Sequence, residues 1–115
     1  MPNLRSVGSQ AEDRAAEYLI EKGYTIVTRR WTMRGGELDI VALDGETLVF
    51  VEVKARSGRW ASPEEAIVDL KVQRFLKAVQ RYALETDQLD RATRYDVIAI
   101  DDKGIRHYED AFRAT

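Results

Sequence analysis

The sequence is most tightly constrained by two apolar runs, GELDIVAL and TLVFVEVKA, which flank the dipeptide Asp44-Gly45. An Asp-Gly pair between runs of alternating hydrophobicity is the strongest short-range signal for a β-hairpin. The two runs are therefore predicted to form neighbouring antiparallel strands. If Asp44-Gly45 forms a two-residue loop, Leu43 pairs with Glu46, and this pair sets the register of the hairpin.

The two faces of the predicted hairpin differ in polarity, because successive side chains of a strand point to opposite faces. One face is apolar along its whole length and is predicted to face the core; it carries Leu38, Ile40, Ala42, Val49, Val51 and Val53, with Thr47 near the turn. The other face is apolar only near the turn, and its members are Val41, Leu43, Leu48 and Phe50, then Glu37, Asp39, Glu52 and Lys54. Such a split is unusual for a merely solvated face, so the charged end is the candidate functional site.

The charged end brings acidic side chains together. In the predicted register Asp39 lies opposite Phe50 and is a diagonal neighbour of Glu52, with Cβ atoms roughly 7 Å apart. Like charges this close repel, and without a cation one carboxyl would keep its proton at a raised pKa. A divalent ion removes the repulsion, and two carboxylates with the nearby carbonyl of Val53 are typical of a Mg²⁺ or Mn²⁺ site. A surface ion-pair ladder of Asp39, Glu52 and Lys54 is the alternative, and the residues alone leave both open.

A helix is predicted before the hairpin, from about Gly8 to Lys22, with Gly23 as its stop. Its core-facing stripe consists of Ala11, Ala15, Tyr18 and Leu19. Glu12 lies beside this stripe, a position from which it can reach the acidic patch as a further metal ligand. An acid in the first turn of a helix is also favoured by the helix dipole alone, and this alternative stays open.

The remaining segments complete an α/β pattern. TIVTRRW predicts a strand before the hairpin, and YDVIAI and IRHYE predict two strands near the end. A long amphipathic helix is predicted between the hairpin and these two last strands, in ASPEEAIVDLKVQRFLKAVQRYALE. Its start is marked by Ser62 as N-cap, Pro63 at the first helical position and Glu65, which completes a capping box. The order α-β-β-β-α-β-β predicts a mixed central sheet flanked by helices, and residues 1–115 are expected to form one domain.

Composition excludes several classes of protein. The chain has no cysteine and a single histidine, His107, which excludes disulfides, thiolate zinc sites and multi-histidine metal sites. A Ser-His hydrolase built on His107 is disfavoured, because no serine lies in a nucleophile-elbow pattern. No apolar run approaches the roughly 20 residues of a membrane span, and the N-terminal segment lacks the apolar core of a signal peptide. A cytoplasmic protein with no membrane partner is expected.

The charge distribution matters more than the net charge of −2, which taken alone argues against a nucleic-acid binder. Two segments carry basic residues without acids, at residues 29–34 and 54–59. Most of the basic residues are arginine, whose planar fork suits phosphate. Solvated surface is the alternative for each of these side chains.

GELDIV followed by VFVEVK resembles the PD-(D/E)xK nuclease core, with an acid on one strand and an acid-x-Lys on the next, here Asp39 and Glu52-Val53-Lys54. Over nearly its whole length the chain resembles the YraN-like family of small bacterial proteins, uncharacterised but similar to archaeal Holliday junction resolvases. The matching elements are Gly8 and Glu12 with AAEYLIEKGY, then GELDIVALDGETLVFVEVKAR, the SPEEAI helix start with Lys71, and RYDVIAI. The chain departs from such sequences at Ala11, usually glycine, and at Arg30, usually asparagine.

This resemblance implies a restriction-endonuclease-like αβββαβ core and a metal-dependent endonuclease acting on structured or branched DNA. Asp39 and Glu52 would hold Mg²⁺ or Mn²⁺, and Lys54 would orient the attacking water or stabilise the pentavalent phosphorane. Phosphate contacts, which position a duplex without reading its sequence, are expected from Arg34, Arg56, Arg59, Lys71 and Arg74. A homodimer is a further expectation, because cutting two strands symmetrically calls for two sites related by a two-fold axis.

Two other classes of protein remain as alternatives, a module that binds nucleic acid without cutting it and a protein-interaction domain. A pure binder would gain from neutral residues in place of Asp39 and Glu52, since these acids repel phosphate. Retention of both acids together with Lys54 favours the enzyme.

Overall fold

The computed structural model describes residues 6–55 and 72–112 of the chain. Its elements are α1 (Ser6–Glu21), β1 (Thr25–Met33), β2 (Gly36–Asp44), β3 (Thr47–Ala55), α2 (Val72–Glu85), β4 (Thr93–Asp101) and β5 (Gly104–Phe112). The predicted order of helices and strands is confirmed. The capping box predicted at Ser62, Pro63 and Glu65 lies outside the described residues.

Helix α1 stops where the sequence predicts, at Gly23. This glycine has a φ of 102°, in the left-handed region that side chains disfavour. The amide of Tyr24 donates to the carbonyl of Leu19 at 2.9 Å, and that of Gly23 donates to Ile20 at 3.0 Å. These two bonds form a Schellman motif, which caps the helix and turns the chain into β1.

The five strands form one mixed sheet in the order β1-β2-β3-β4-β5. The pairs β1–β2, β2–β3 and β4–β5 are antiparallel, whereas β3 and β4 are parallel. Parallel neighbours need a crossover connection, and α2 lies within it. The crossover places α2 on one face of the sheet, and α1 covers the other.

The register of the β2–β3 hairpin differs from the predicted one. Leu43 pairs with Leu48 rather than with Glu46, and Asp44 pairs with Thr47. The turn is therefore centred one residue later than predicted, on Gly45 and Glu46. Gly45 has a φ of 62° and Glu46 is not in the positive-φ region, which is the pattern of a type II′ turn. The partner of Leu43 on β3 is therefore two residues later than predicted. Since side chains of a strand alternate with a period of two, each side chain of β3 keeps its predicted face.

Two apolar layers lie on opposite faces of the sheet. The α1-side core consists of Ala11, Ala15, Ala16, Leu19, Tyr24, Ile40, Ala42, Val49, Val51, Ile98 and Ile100. The α2-side core consists of Leu38, Val41, Leu48, Phe50, Phe75, Ala78, Val79 and Tyr82. The predicted apolar stripe of α1 is thus confirmed, since Ala11, Ala15 and Leu19 lie in the core and Tyr18 packs against it.

Leu38 corrects one predicted face. The alternation of β2 places it on the α1 side with Ile40, but it packs in the α2-side core, near its β1 partner Trp31. The alternation is interrupted between Leu38 and Ile40, at Asp39. This irregular point in β2 is where the candidate site lies.

The mixed sheet with a helix on each face is the restriction-endonuclease-like arrangement predicted from the sequence. Among the helices that the structure describes, none is long and apolar enough to cross a membrane.

Candidate active site

The site forms where the β2–β3 ladder ends. The last pair is Ile40 with Val51, so Asp39 and Glu52 are the next residues outward on their strands. There Oδ2 of Asp39 accepts a hydrogen bond from the amide of Val53 at 2.8 Å. The carboxylate thus satisfies a backbone donor of the neighbouring strand, and this contact fixes it between β2 and β3. The predicted diagonal relation of the two acids is wrong, because in the observed register they lie at the same level.

Burial and neighbouring negative charges both disfavour the ionised form of Asp39. Burial raises its pKa, and the nearby carboxylate of Glu52 raises it further, while the Val53 amide only partly offsets these effects. Glu12 and Glu37 add smaller repulsions, and the resulting pKa is about 7. A carboxyl in this state gains from any cation that can replace its proton.

Lys54 forms an ion pair with Glu52, one of the two acids. Its Nζ is 3.1 Å from Oε1 of Glu52, and the two side chains are only 21% and 19% exposed. In a strand, residues two apart share a face, so Glu52 fixes the ammonium at the same edge of the site. The ion pair foreseen in the ladder alternative is therefore present, and Asp39 is left as the acid without a basic side-chain partner among the described hydrogen bonds and ion pairs.

Glu12 reaches the same patch from α1. Its side chain is 12% exposed, and both carboxylate oxygens accept from Nε of Arg30, at 3.1 and 3.2 Å. Burial raises the pKa of Glu12 although Arg30 opposes that shift. Glu12 is close enough to raise the pKa of Asp39, but its observed partner is an arginine.

The donor set at the ladder end suits a hard cation. Within residues 6–55 and 72–112, no three acidic or histidine side chains converge into a ready-made metal centre. Two carboxylates with a backbone carbonyl and waters is nevertheless a usual shell for Mg²⁺, which keeps several of its waters. Asp39 and Glu52 fit this shell, and their mutual repulsion is what a cation would relieve.

The predicted phosphate-contact residues are only partly described. Arg34 is exposed in the turn between β1 and β2, before Gly35 with its φ of 87°. Arg74 lies in the first turn of α2. The other three, Arg56, Arg59 and Lys71, lie outside the described residues.

A second polar cluster, which the sequence does not predict, surrounds Asp96 of β4. This side chain is fully buried and accepts from Nε and Nη2 of Arg94, both at 2.9 Å. It also accepts from Nε2 of His107 at 2.7 Å and from the amide of Asp110 at 3.0 Å. Burial alone would raise the pKa of Asp96, but the bonds from His107 and Arg94 outweigh it and lower the pKa to about 2.

His107 links this cluster to α1. Because the carboxylate of Asp96 can only accept, Nε2 of His107 must donate in this hydrogen bond and therefore carries the ring proton. Nδ1 then accepts from Nζ of Lys22 at 3.0 Å and contacts the hydroxyl of Tyr18 at 3.3 Å. The sequence signal for the cluster was the spacing of Arg94 and Asp96, which puts both on one face of a strand.

The fold defines a protein with a restriction-endonuclease-like αβββαβ core. Within that class, the chain belongs to the uncharacterised protein family UPF0102, whose model matches residues 11–100. It is the YraN family that the sequence resemblance indicates.

Relatives match almost end to end. A UPF0102 protein of Geobacter metallireducens is 42% identical over 113 residues, covering 94% of this chain and 93% of the relative. One from Persephonella marina is 41% identical over 106 residues, covering 91% of each chain. One from Flavobacterium psychrophilum is 38% identical, covering 97% of this chain and 98% of the relative.

Proposed function

We propose that the protein is a metal-dependent endonuclease that hydrolyses phosphodiester bonds in structured or branched DNA. The observation that carries this proposal is the pair Asp39 and Glu52 at the end of the β2–β3 ladder, with Lys54 in an ion pair with Glu52. The raised pKa of Asp39 supports it, because a purely structural acid would be expected to have found a cationic partner.

In the proposed mechanism, Asp39, Glu52 and the carbonyl of Val53 hold Mg²⁺ or Mn²⁺. When bound, the metal would lower the pKa of a water and neutralise charge on the scissile phosphate. Lys54 then stabilises the phosphorane or orients the attacking water, since its ammonium already lies next to Glu52. Glu12 as a further metal ligand stays a prediction, and its ion pair with Arg30 would compete with metal binding.

The proposed substrate is bound mainly through its backbone. Phosphate contacts come from Arg34, Arg56, Arg59, Lys71 and Arg74, which position the duplex by shape rather than by sequence. With a net charge of −2, binding is weak and falls steeply with salt. A homodimer would supply the second site needed for a symmetric double cut.

A second candidate is a module that binds nucleic acid without cutting it. It is favoured by two ion pairs at the site, Glu52 with Lys54 and Glu12 with Arg30, because paired acids also suit a structural role. Asp39 distinguishes the candidates, since neither pair compensates its charge.

A cleavage panel separates the two candidates. The parent is incubated with duplex, flap, four-way-junction and single-stranded DNA in Mg²⁺ or Mn²⁺, next to Lys54→Ala and the control Lys103→Ala, an exposed lysine in the β4–β5 turn. The parent and the control should cleave at least one substrate, while Lys54→Ala loses a hundredfold or more in rate and binds within a few-fold of the parent. If the parent cleaves nothing with either metal and Lys54→Ala binds equally well, the binding module replaces the enzyme.

A further inference from the structure

Arg30 has an unusual backbone for its residue type. Its φ is 53°, in the left-handed region, whereas the other non-glycine residues with positive φ in the described ranges are Asp87 and Asp110. Aspartate tolerates this region because its short side chain bonds locally, but a long side chain pays a steric cost there. Such an outlier at a candidate site points to a function for the side chain that is held there.

The strand register places Arg30 at the candidate site. On β1 its neighbours Arg29 and Trp31 pair with Ile40 and Leu38 of β2. Arg30 therefore stands at the level of Asp39, where the next ladder, between β2 and β3, comes to an end.

A buried acid sets the direction of the Arg30 side chain. Glu12, 12% exposed, accepts from Nε with both oxygens, while the Arg30 side chain remains 41% exposed. A guanidinium fixed at Nε has its planar orientation determined before any ligand arrives. A fixed guanidinium fork matches the oxygens of a phosphate.

We propose that Arg30, oriented by Glu12, binds a backbone phosphate of the nucleic acid next to the phosphate that is cut at Asp39 and Glu52. Glu12 is then a positioning residue for Arg30 rather than a metal ligand. The choice of nucleic acid as partner rests on the proposed function, whereas the assignment of Arg30 rests on its own geometry.

The adjacent residue provides a matched control. Arg29 pairs with Asp13, the residue after Glu12, through Nη2 at 2.6 Å, and these side chains are 35% and 58% exposed. Arg29 lacks the left-handed backbone and the buried acceptor. Arg29→Asn therefore removes the same charge from the same strand without touching the proposed phosphate contact.

The test measures binding of fluorescently labelled duplex and four-way-junction DNA in EDTA, over a series of salt concentrations. Arg30→Asn should weaken binding several-fold and reduce the slope of log affinity against log salt by about one, while Arg29→Asn changes affinity by less than about twofold. Arg30→Asn relieves the left-handed backbone but leaves the largely buried Glu12 without its partner, so the thermal unfolding of both variants is measured to show that each is folded at the assay temperature. Equal losses in both variants, or no loss in Arg30→Asn, would overturn the assignment.

The role of Glu12 is tested by Mn²⁺ titration of Glu12→Gln. An affinity within about twofold of the parent fits a positioning residue, and a loss of tenfold or more would place Glu12 among the metal ligands and overturn that role. An Arg30-specific loss of binding in a protein that cleaves nothing would overturn the proposed hydrolysis and leave the assignment of Arg30 as a phosphate contact standing. Cleavage by the parent with unchanged binding in Arg30→Asn would sink only this inference. A parent that binds no nucleic acid overturns both.

Discussion

Two aspartates of the central sheet carry opposite electrostatic signatures. Asp96 is fully buried, yet hydrogen bonds from Arg94 and His107 lower its pKa to about 2. Asp39 is half-buried, yet its pKa is raised to about 7 by burial and by the neighbouring Glu52. Burial therefore does not separate the two sites; the partners do.

The difference shows which cluster holds the fold together and which can take part in chemistry. Around Asp96 every buried hydrogen-bonding group is satisfied, and the cluster joins β4 and β5 to α1 through His107 and Lys22. Around Asp39 the acids outnumber the nearby bases. Such an imbalance reduces stability in the absence of a ligand and is expected where a cation is to be bound.

The largest expected effect comes from removing the charge of Asp96. Asp96→Asn should lower the free energy of unfolding by about 3 kcal/mol, because it leaves the guanidinium of Arg94, 19% exposed, without its buried counter-charge. Urea denaturation measures this loss. Asp87→Asn, in an exposed turn, is the control and should stay within about 0.5 kcal/mol of the parent. Similar stability of both variants would remove the contrast between the two aspartates.

Asp39→Asn should act in the opposite direction and depend on pH. Since its folded pKa is raised from 3.8 to about 7, the folded state binds more protons in this range, and stability falls as pH rises through it. The variant escapes this loss and should exceed the metal-free parent by about 2 kcal/mol at pH 8, because solvent screens part of the roughly 4 kcal/mol to which the shift corresponds, and the difference should vanish near pH 4. A difference that is the same at both pH values would contradict the raised pKa.

The lowered pKa of Asp96 predicts the reverse dependence at acidic pH. Its contribution to stability is complete above the ordinary pKa of 3.8 and is lost as pH falls toward about 2. Acid denaturation of the parent should therefore be steep between these values, and shallower in Asp96→Asn. Parallel acid transitions in the two proteins would show that another group controls the unfolding.

The smallest effect is expected at the exposed rim of the Asp96 cluster. Glu109 and Lys22 form an ion pair at 3.2 Å, with 48% and 38% of their side chains exposed. Glu109→Gln should cost only about 0.5 kcal/mol, because solvent screens such pairs. A loss as large as that of Asp96→Asn would mean that the rim, rather than the buried core, holds this cluster together.

The sequence predicts the fold well because its signals are local. The alternation of β2 and β3, the glycine at the end of α1 and the apolar stripes of the helices depend on neighbours in the chain. The hairpin register was predicted wrongly, since Asp44-Gly45 allows two turn placements and only packing decides between them. The face of Leu38 is predicted wrongly for a related reason. The sequence does not show that the alternation of β2 is interrupted at Asp39.

The candidate site was predicted in its residues but not in its contacts. Asp39, Glu52 and Lys54 follow from period two and from the resemblance to nucleases. The bond from the Val53 amide and the left-handed backbone of Arg30 depend on where the β2–β3 ladder ends while β1 and β2 stay paired. Asp96 and His107 lie on the two neighbouring strands β4 and β5. Nothing in the local sequence indicates that these two side chains contact each other.

Calorimetric titration with Mn²⁺ tests the central claim most directly. The parent should bind the ion, and Asp39→Asn and Glu52→Gln should each weaken binding by tenfold or more. Each variant removes one of the two carboxylates that are proposed to bind the metal and whose mutual repulsion the metal would relieve. Asp102→Asn, an exposed acid in the β4–β5 turn, should bind as the parent does. Equal Mn²⁺ affinity in the parent and in both site variants would contradict the assignment of the metal site to Asp39 and Glu52.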